Sequence, residues 1–236
     1  MWIALARKEI RECLWIAAAA LAAYLYLFAR QTGWGVLDLV TDLLGVVRVS
    51  VGVGDVPFVT APGNSMGFVG QFAVVAALMA IVLGFRQTLG EALHGTYVLL
   101  FHLPAPRMRL VYGKLFVGLS AYLICGTVPI LLYGVWAATP GTHASPFYWS
   151  MTVPAWVAWF SMTPLYSASF LSGLRPARWY GSRLAPLVAS VLMLPVVLTP
   201  VMVGVLPWWV SGLIVLVADV LLVICIQQAA GDRDYS

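Results

Sequence analysis

Two long stretches of this chain contain no Asp, Glu, Lys or Arg at all: residues 56–85 and residues 115–174. Between them lies a charged island, residues 86–114, reading RQTLGEALHGTYVLLFHLPAPRMRLVYGK. Uncharged runs of this length are incompatible with a water-facing surface, so the chain must pair them with a lipid solvent. Composition agrees, with 62% hydrophobic residues, 9% charged residues and a mean hydropathy of +0.93, all far outside the range of a soluble domain.

A bilayer-spanning helix takes about 20 mostly apolar residues. Gly, Pro and charge cut the uncharged runs into six pieces, at residues 13–29, 66–85, 115–136, 147–171 and 184–205, and from the turn at 206–209 to about 226. Pro140, Gly141 and His143 supply a turn before the fourth piece, and Pro207, Trp208 and Trp209 a tight hairpin with interfacial aromatics before the sixth. The expected fold is an all-α integral membrane protein, a single domain over residues 1–236, with six transmembrane helices preceded by an N-terminal amphipathic interfacial helix over residues 1–12.

The basic residues set the expected orientation. Arg7, Lys8, Arg11, Arg86, Arg107, Arg109, Lys114, Arg175, Arg178, Arg183 and Arg233 all fall on one side of such a topology, leaving Arg30 and Arg48 on the other. The positive-inside rule then places both termini in the cytoplasm of a multi-pass protein of the cell membrane. The net charge of +4 reads as topology, and its spread over every cytoplasmic segment argues against a nucleic-acid partner. A cleaved signal peptide is the competing reading of the N-terminus, but the apolar run ends FARQTGWG without a small-x-small site. Cys13, Cys125 and Cys225 lie in different spans without CxxC spacing, which fits reduced packing residues rather than a disulfide frame or zinc site.

In residues 1–12, at 100° per residue, Trp2, Ile3, Leu5, Ala6, Ile10 and Cys13 share one arc, while Arg7, Lys8 and Arg11 gather on the other. Such a helix lies in the interface plane. Glu9 falls within the apolar arc, where it either points at protein or a basic group, or snorkels to water. The extracytoplasmic segment, residues 31–65, has Val36, Leu37, Val40, Leu43, Leu44 and Val47 at helical spacing, then Val47, Val49, Val51 and Val53 in alternation. It is too short for a separate domain and reads as a structural lid or as the cap of a pathway mouth.

In the island, the second span continues past Arg86 to about His94, Gly95 can break the helix and Thr96 can cap the next one. Tyr97 to Leu103 gives one to two apolar turns, which Pro104 and Pro106 stop. A short apolar helix stiffened at both ends suits a groove on a partner protein.

The order of an acid, Gly-Thr, apolar residues, Pro, a basic residue and then Gly-Lys resembles the permease subunits of type 2 ABC exporters. Here it consists of Glu91, Gly95, Thr96, Leu99, Leu100, Leu103, Pro104, Arg107, Gly113 and Lys114. The segment ARKEIRE, carrying Arg7, Lys8, Glu9 and Arg11, is similar to that family's interfacial elbow helix. The resemblance implies a dimer of permeases, with a second copy or a paralogue, and a coupling helix in residues 86–114 docked on a separate ATP-binding cassette ATPase. That subunit would hold the ATP and Mg. The chain itself has no GxxxxGK[ST] phosphate loop, so it is expected to be no enzyme and to carry no cofactor. The family's longer segment between the fifth and sixth spans is here reduced to the turn at residues 206–209.

Other polar residues compete for a role. Glu91 and His94 make a Glu-x-x-His pair, but di-iron bundles need a second copy and further carboxylates, and no Glu follows Glu91. His94 and His102 fit the coupling surface better, and His143 an outer turn. Asp219 is the one ionisable residue well inside a span, where an unpaired carboxylate costs at least about 2.5–3.5 kcal/mol. It must face the protein or a cavity, as a substrate-path or interface residue or as a structural hydrogen-bond acceptor. Pro154 and Pro164 in the fourth span, and Pro186, Pro195 and Pro200 in the fifth, predict kinks. An intramembrane enzyme would need paired carboxylates, a His cluster or a Ser/His pair at matching depth, and a secondary transporter would need internal repeats and more intramembrane charge; apart from Asp219 the spans supply neither. A non-transporting membrane scaffold or assembly factor is the alternative to the permease.

Overall fold

The computed structural model describes residues 2–31, 68–93, 107–141, 146–175, 180–202, 205 and 207–231. The elements are α1 (Trp2–Gln31), α2 (Phe68–Leu93), α3 (Arg107–Ala138), a 3-10 turn (Trp149–Thr152), α4 (Val153–Phe160), α5 (Thr163–Leu174), α6 (Tyr180–Met202) and α7 (Trp208–Gly231). No strand occurs among the described residues. Five of the helices, α1, α2, α3, α6 and α7, are long and apolar enough to cross a bilayer, so the chain is an all-helical, multi-pass membrane protein.

Three features depart from the sequence-based expectation. Residues 2–31 form one continuous helix, with no break between the expected interfacial segment and the first span. The expected fourth span is two helices, because the backbone leaves the helix at Ser161 and Met162. Pro154 and Pro164 do not kink that span but sit in the first turns of α4 and α5, where a missing N–H is tolerated. Of the turn expected after the third span, Pro140 and Gly141 are described, Gly141 at φ +85°, a conformation that favours glycine, and His143 lies outside the described residues. Gln31 ends α1, while the rest of the segment expected to be extracytoplasmic, residues 32–65, and residues 94–106 lie outside the described residues.

The ends of the helices identify their directions. Glu9 of α1, Gln87 of α2 and Lys114 of α3 meet at one end of the bundle. At the other, Phe28, Phe68 and Tyr133 from the same three helices pack as rings, with Phe68 and Tyr133 centroids 4.6 Å apart and Tyr133 stacked on Trp136 at 5.5 Å. The three helices therefore alternate in direction. The segment from Trp149 through α5 runs antiparallel to α3 over its whole length. A Cβ placed on Gly134 would lie 2.8 Å from the Trp149 ring, one on Gly126 would strike the Trp159 indole, and one on Gly118 would strike the Tyr166 hydroxyl. Three glycines of α3 thus each receive a large aromatic side chain, and the interrupted segment extends from the aromatic end of the bundle to the charged one.

α5 is the centre of the molecule. Every residue from Thr163 to Leu174 is buried, and the helix packs against α2, α6 and α7. Among lipid tails, apolar burial gives no net drive between helices, and close backbone approach through small residues replaces it. Gly84 of α2 lies against the α5 backbone, where an added Cβ would come 2.7 Å from Tyr166 O and 2.7 Å from Ser169 Cβ. Gly173 of α5 returns the contact beneath Thr88 of α2. Cys13 and Cys125 are buried as expected of packing residues, whereas Cys225 is exposed on α7 among the described residues.

Gly84→Ala should destabilise the protein by about 1–3 kcal/mol, since the obstructing atoms are backbone and cannot step aside. Gly212→Ala on α7, with nothing within 4 Å of its Cβ, should be neutral or stabilising by up to about 1 kcal/mol. Unfolding of the purified protein in detergent compares the two.

Candidate functional site

The sequence-predicted residues that fall within the described part gather mainly at the charged end of the bundle. On α1, Glu9 turns inward while Arg7 and Arg11 are exposed, and Lys8 forms a surface pair with Glu12 at 3.7 Å. Opposite Glu9 is Lys114, near the start of α3, with its ammonium 3.2 Å from the carboxylate. Both side chains are almost fully enclosed, at 2% and 5% exposure. Of the two readings of Glu9, the inward one holds, and the basic group it meets is Lys114. That residue stands inside the bundle and presents no surface for a partner.

The pair is embedded in a larger network that sequence analysis missed. Gln87 donates from Nε2 to the Lys114 carbonyl at 3.0 Å, and the same atom lies 3.5 Å from Cys13 Sγ. The Tyr166 hydroxyl, from α5, sits 2.7 Å from Gln87 Oε1 and 3.0 Å from the Leu115 carbonyl, sharing its one proton between them. Gly118 makes this possible: a Cβ there would fall 2.7 Å from Gln87 Nε2 and closer to the Tyr166 oxygen. Four helices, α1, α2, α3 and α5, are therefore tied by one ion pair and one amide. The only sequence signal was the isolated Gln-Thr pair at the edge of an otherwise apolar run.

Two members of this network, Gln87 and Lys114, belong to the island itself. Its outer residues Gly95, Thr96, Leu99, Leu100, Leu103 and Pro104 lie outside the described residues, as do His94 and His102. Glu91 belongs to the last turn of α2 and Arg107 opens α3, so the two helices that flank the segment are the ones that Gln87 joins.

A second polar cluster lies at mid-bundle, around the midpoint of α7. Asp219 is in hydrogen-bond contact with the Thr163 hydroxyl at 2.5 Å and accepts from Ser167 at 2.9 Å, both on α5. The break between α4 and α5 creates part of this site. Pro164 has no N–H, so the Phe160 carbonyl loses its helical donor and meets the Thr163 hydroxyl at 2.9 Å instead. The Trp159 carbonyl accepts from Met162 N at 3.1 Å and from the Tyr122 hydroxyl of α3 at 2.8 Å. The Phe160 and Trp159 carbonyls thus both find protein donors, as a lipid environment demands. At the far end of α5, Arg183 donates to the Ser172 and Gly173 carbonyls at 3.0 and 3.2 Å, capping the helix.

No group of three or more His, Cys, Asp or Glu side chains that could hold a metal occurs among the described residues. The two clusters offer hydrogen bonding and charge pairing.

Removing one member of the enclosed ion pair leaves the other charge uncompensated. Lys114→Met should therefore cost about 3–5 kcal/mol of stability, while Glu9→Gln combined with Lys114→Met should restore most of the loss. A double-mutant cycle on unfolding in detergent measures both.

Comparison with known proteins returned no matching family model, no matching curated protein and no matching solved structure, so the functional reading rests on the geometry of these residues.

Proposed function

We propose that the chain is the transmembrane permease subunit of an ATP-driven exporter of the ABC type 2 class, working as a dimer and coupled to a separate ATP-binding subunit. The observation that carries the reading is the Glu9–Lys114–Gln87–Tyr166 network. It joins the N-terminal helix, both helices flanking the proposed docking segment and the central helix α5. A push on residues 94–106 would reach all four helices together, because the groups that link them are enclosed by protein. The docking contact is read on Glu91, Gly95, Thr96, Leu99, Leu100, Leu103, Pro104 and Arg107, with Lys114 as the anchor behind it.

The same reading takes α4 and α5 as one interrupted crossing, which brings the number of crossings to six and puts both termini in the cytoplasm of the cell membrane. The succession of Gly134, Gly126 and Gly118 against Trp149, Trp159 and Tyr166 supports it, since the interrupted pair covers the same length of bundle as α3. The first turns of α1, with Arg7, Lys8 and Arg11 beside the apolar arc, serve as the interfacial elbow that leads into the first crossing.

Co-purification with candidate ATP-binding subunits tests the function. The wild-type protein should retain an ATPase, and Thr96→Asp, which adds a charge at the start of the docking helix, should weaken that complex about tenfold, equivalent to about 1.4 kcal/mol. Absence of any ATPase, or binding indifferent to the island, would favour the scaffold reading. For the topology, single reporter cysteines placed at the two termini, on a background with Cys13, Cys125 and Cys225 replaced, should react with impermeant reagent from the same side of sealed vesicles.

A further inference from the structure

The Asp219 cluster contains more acceptors than an ionised carboxylate leaves donors to satisfy. Thr163 has one hydroxyl proton and two oxygen neighbours, the Phe160 carbonyl at 2.9 Å and Asp219 Oδ2 at 2.5 Å. Ser167 has one proton and spends it on Asp219 Oδ1 at 2.9 Å. With Asp219 ionised, either the carbonyl freed by Pro164 or Oδ2 faces the Thr163 oxygen without a hydrogen between them. A proton on Oδ2 resolves the conflict. Oδ2–H then donates to Thr163, Thr163 donates to Phe160 O and Ser167 donates to Oδ1, so each hydrogen is used once and each oxygen is satisfied.

Charge leads to the same place. The neighbours of α7 are α5, α4, α6 and α3. α4 carries no titratable side chain, and the only one on α5 is Tyr166, which is committed to Gln87 and Leu115 O. The guanidinium of Arg183 on α6 is engaged with Ser172 O and Gly173 O, and Lys114 of α3 is paired with Glu9. Arg109 of α3 is exposed near the charged end of the bundle, and Tyr122, level with the break, gives its proton to Trp159 O. On α7 itself the only other titratable group is the exposed Cys225. Among the described residues, no cation stands near Asp219 to balance a negative charge.

We infer that Asp219, Thr163 and Ser167 form an intramembrane proton-binding site at the break between α4 and α5, with the proton held on Asp219 in this conformation. The site binds α7 to α5 through a hydrogen-bond chain that ends on the carbonyl freed by Pro164. Loss of the proton places an unbalanced charge between the two helices and removes the donor from Thr163, so proton occupancy sets how tightly α7 is held. This inference does not depend on the identity of any partner subunit.

Infrared spectroscopy of the purified full-length protein in lipid nanodiscs at neutral pH tests it. The expected result is a carboxylic-acid carbonyl band that shifts in heavy water, disappears in Asp219→Asn and moves to higher frequency in Thr163→Val. Should Asp219→Asn fail to fold, the wild-type band and its displacement in Thr163→Val decide the matter. Absence of the band in wild type, or its persistence unchanged in both variants, overturns the assignment. Loss of the band when sodium or potassium replaces N-methylglucamine at constant pH overturns it in favour of an alkali cation on the same oxygens.

Discussion

Inside a bilayer there is no water to complete a hydrogen bond, so the polar groups at the break in this chain depend on other protein groups, from their own turn or from a neighbouring helix. That constraint organises the molecule. The helix break at Ser161 and Met162 would be prohibitive if it left carbonyls facing lipid. It is tolerated because Thr163 and Met162 reach back to Phe160 and Trp159, and because Tyr122 reaches in from α3. The break is therefore held as much by a neighbouring helix as by its own turn, and the same turn brings Thr163 and Ser167 to Asp219.

Packing follows a related economy. Apolar side chains on helix faces gain little by leaving lipid for protein, so the bundle is held where backbones approach closely and large rings enter the space left by glycine. Gly84 and Gly173 close α2 on α5, and Gly118, Gly126 and Gly134 receive Tyr166, Trp159 and Trp149. Gly118 has a double role, since the space it leaves is filled by the polar ends of Gln87 and Tyr166. The fit of α3 against α5 and the ion-pair network beside it thus depend on one missing methyl group.

The two polar clusters occupy different levels and share one element. The Glu9–Lys114 network ties α5 through Tyr166 to the end of the bundle where α2 and α3 flank the proposed docking segment, and the Asp219 site ties α5 through Thr163 and Ser167 to α7. α5, wholly buried, has no lipid-facing side along which to move alone. A displacement of either end must be carried by its neighbours, which is the mechanical property that a coupled membrane machine needs. α7, whose residues Leu213, Leu216, Val217, Val220 and Leu221 are exposed, is held chiefly by the Asp219 contact and by Ser211 donating to Val197 O at 3.1 Å.

Membrane class, helix content and five of the crossing helices were legible from the sequence, because charge-free length is a direct consequence of bilayer thickness. So was the anomaly of Glu9 on an apolar arc, and the need of Asp219 for a partner, since a lone charge in lipid announces itself by its cost. Their partners were not legible. Lys114 lies 105 residues from Glu9, and Thr163 lies 56 from Asp219. No local periodicity encodes which faces of distant helices meet. Pro164 was visible, but whether it kinks one helix or opens another depends on whether a donor such as Tyr122 stands ready to take the carbonyls it frees. Tyr166 and Gly118 carried no signal of their own, and Gln87 only its place at the edge of an apolar run, because an amide, a phenol and a glycine become a network only when four helices converge. The sequence by itself determined which segments must leave water; tertiary structure alone decided which polar groups complete one another once they have.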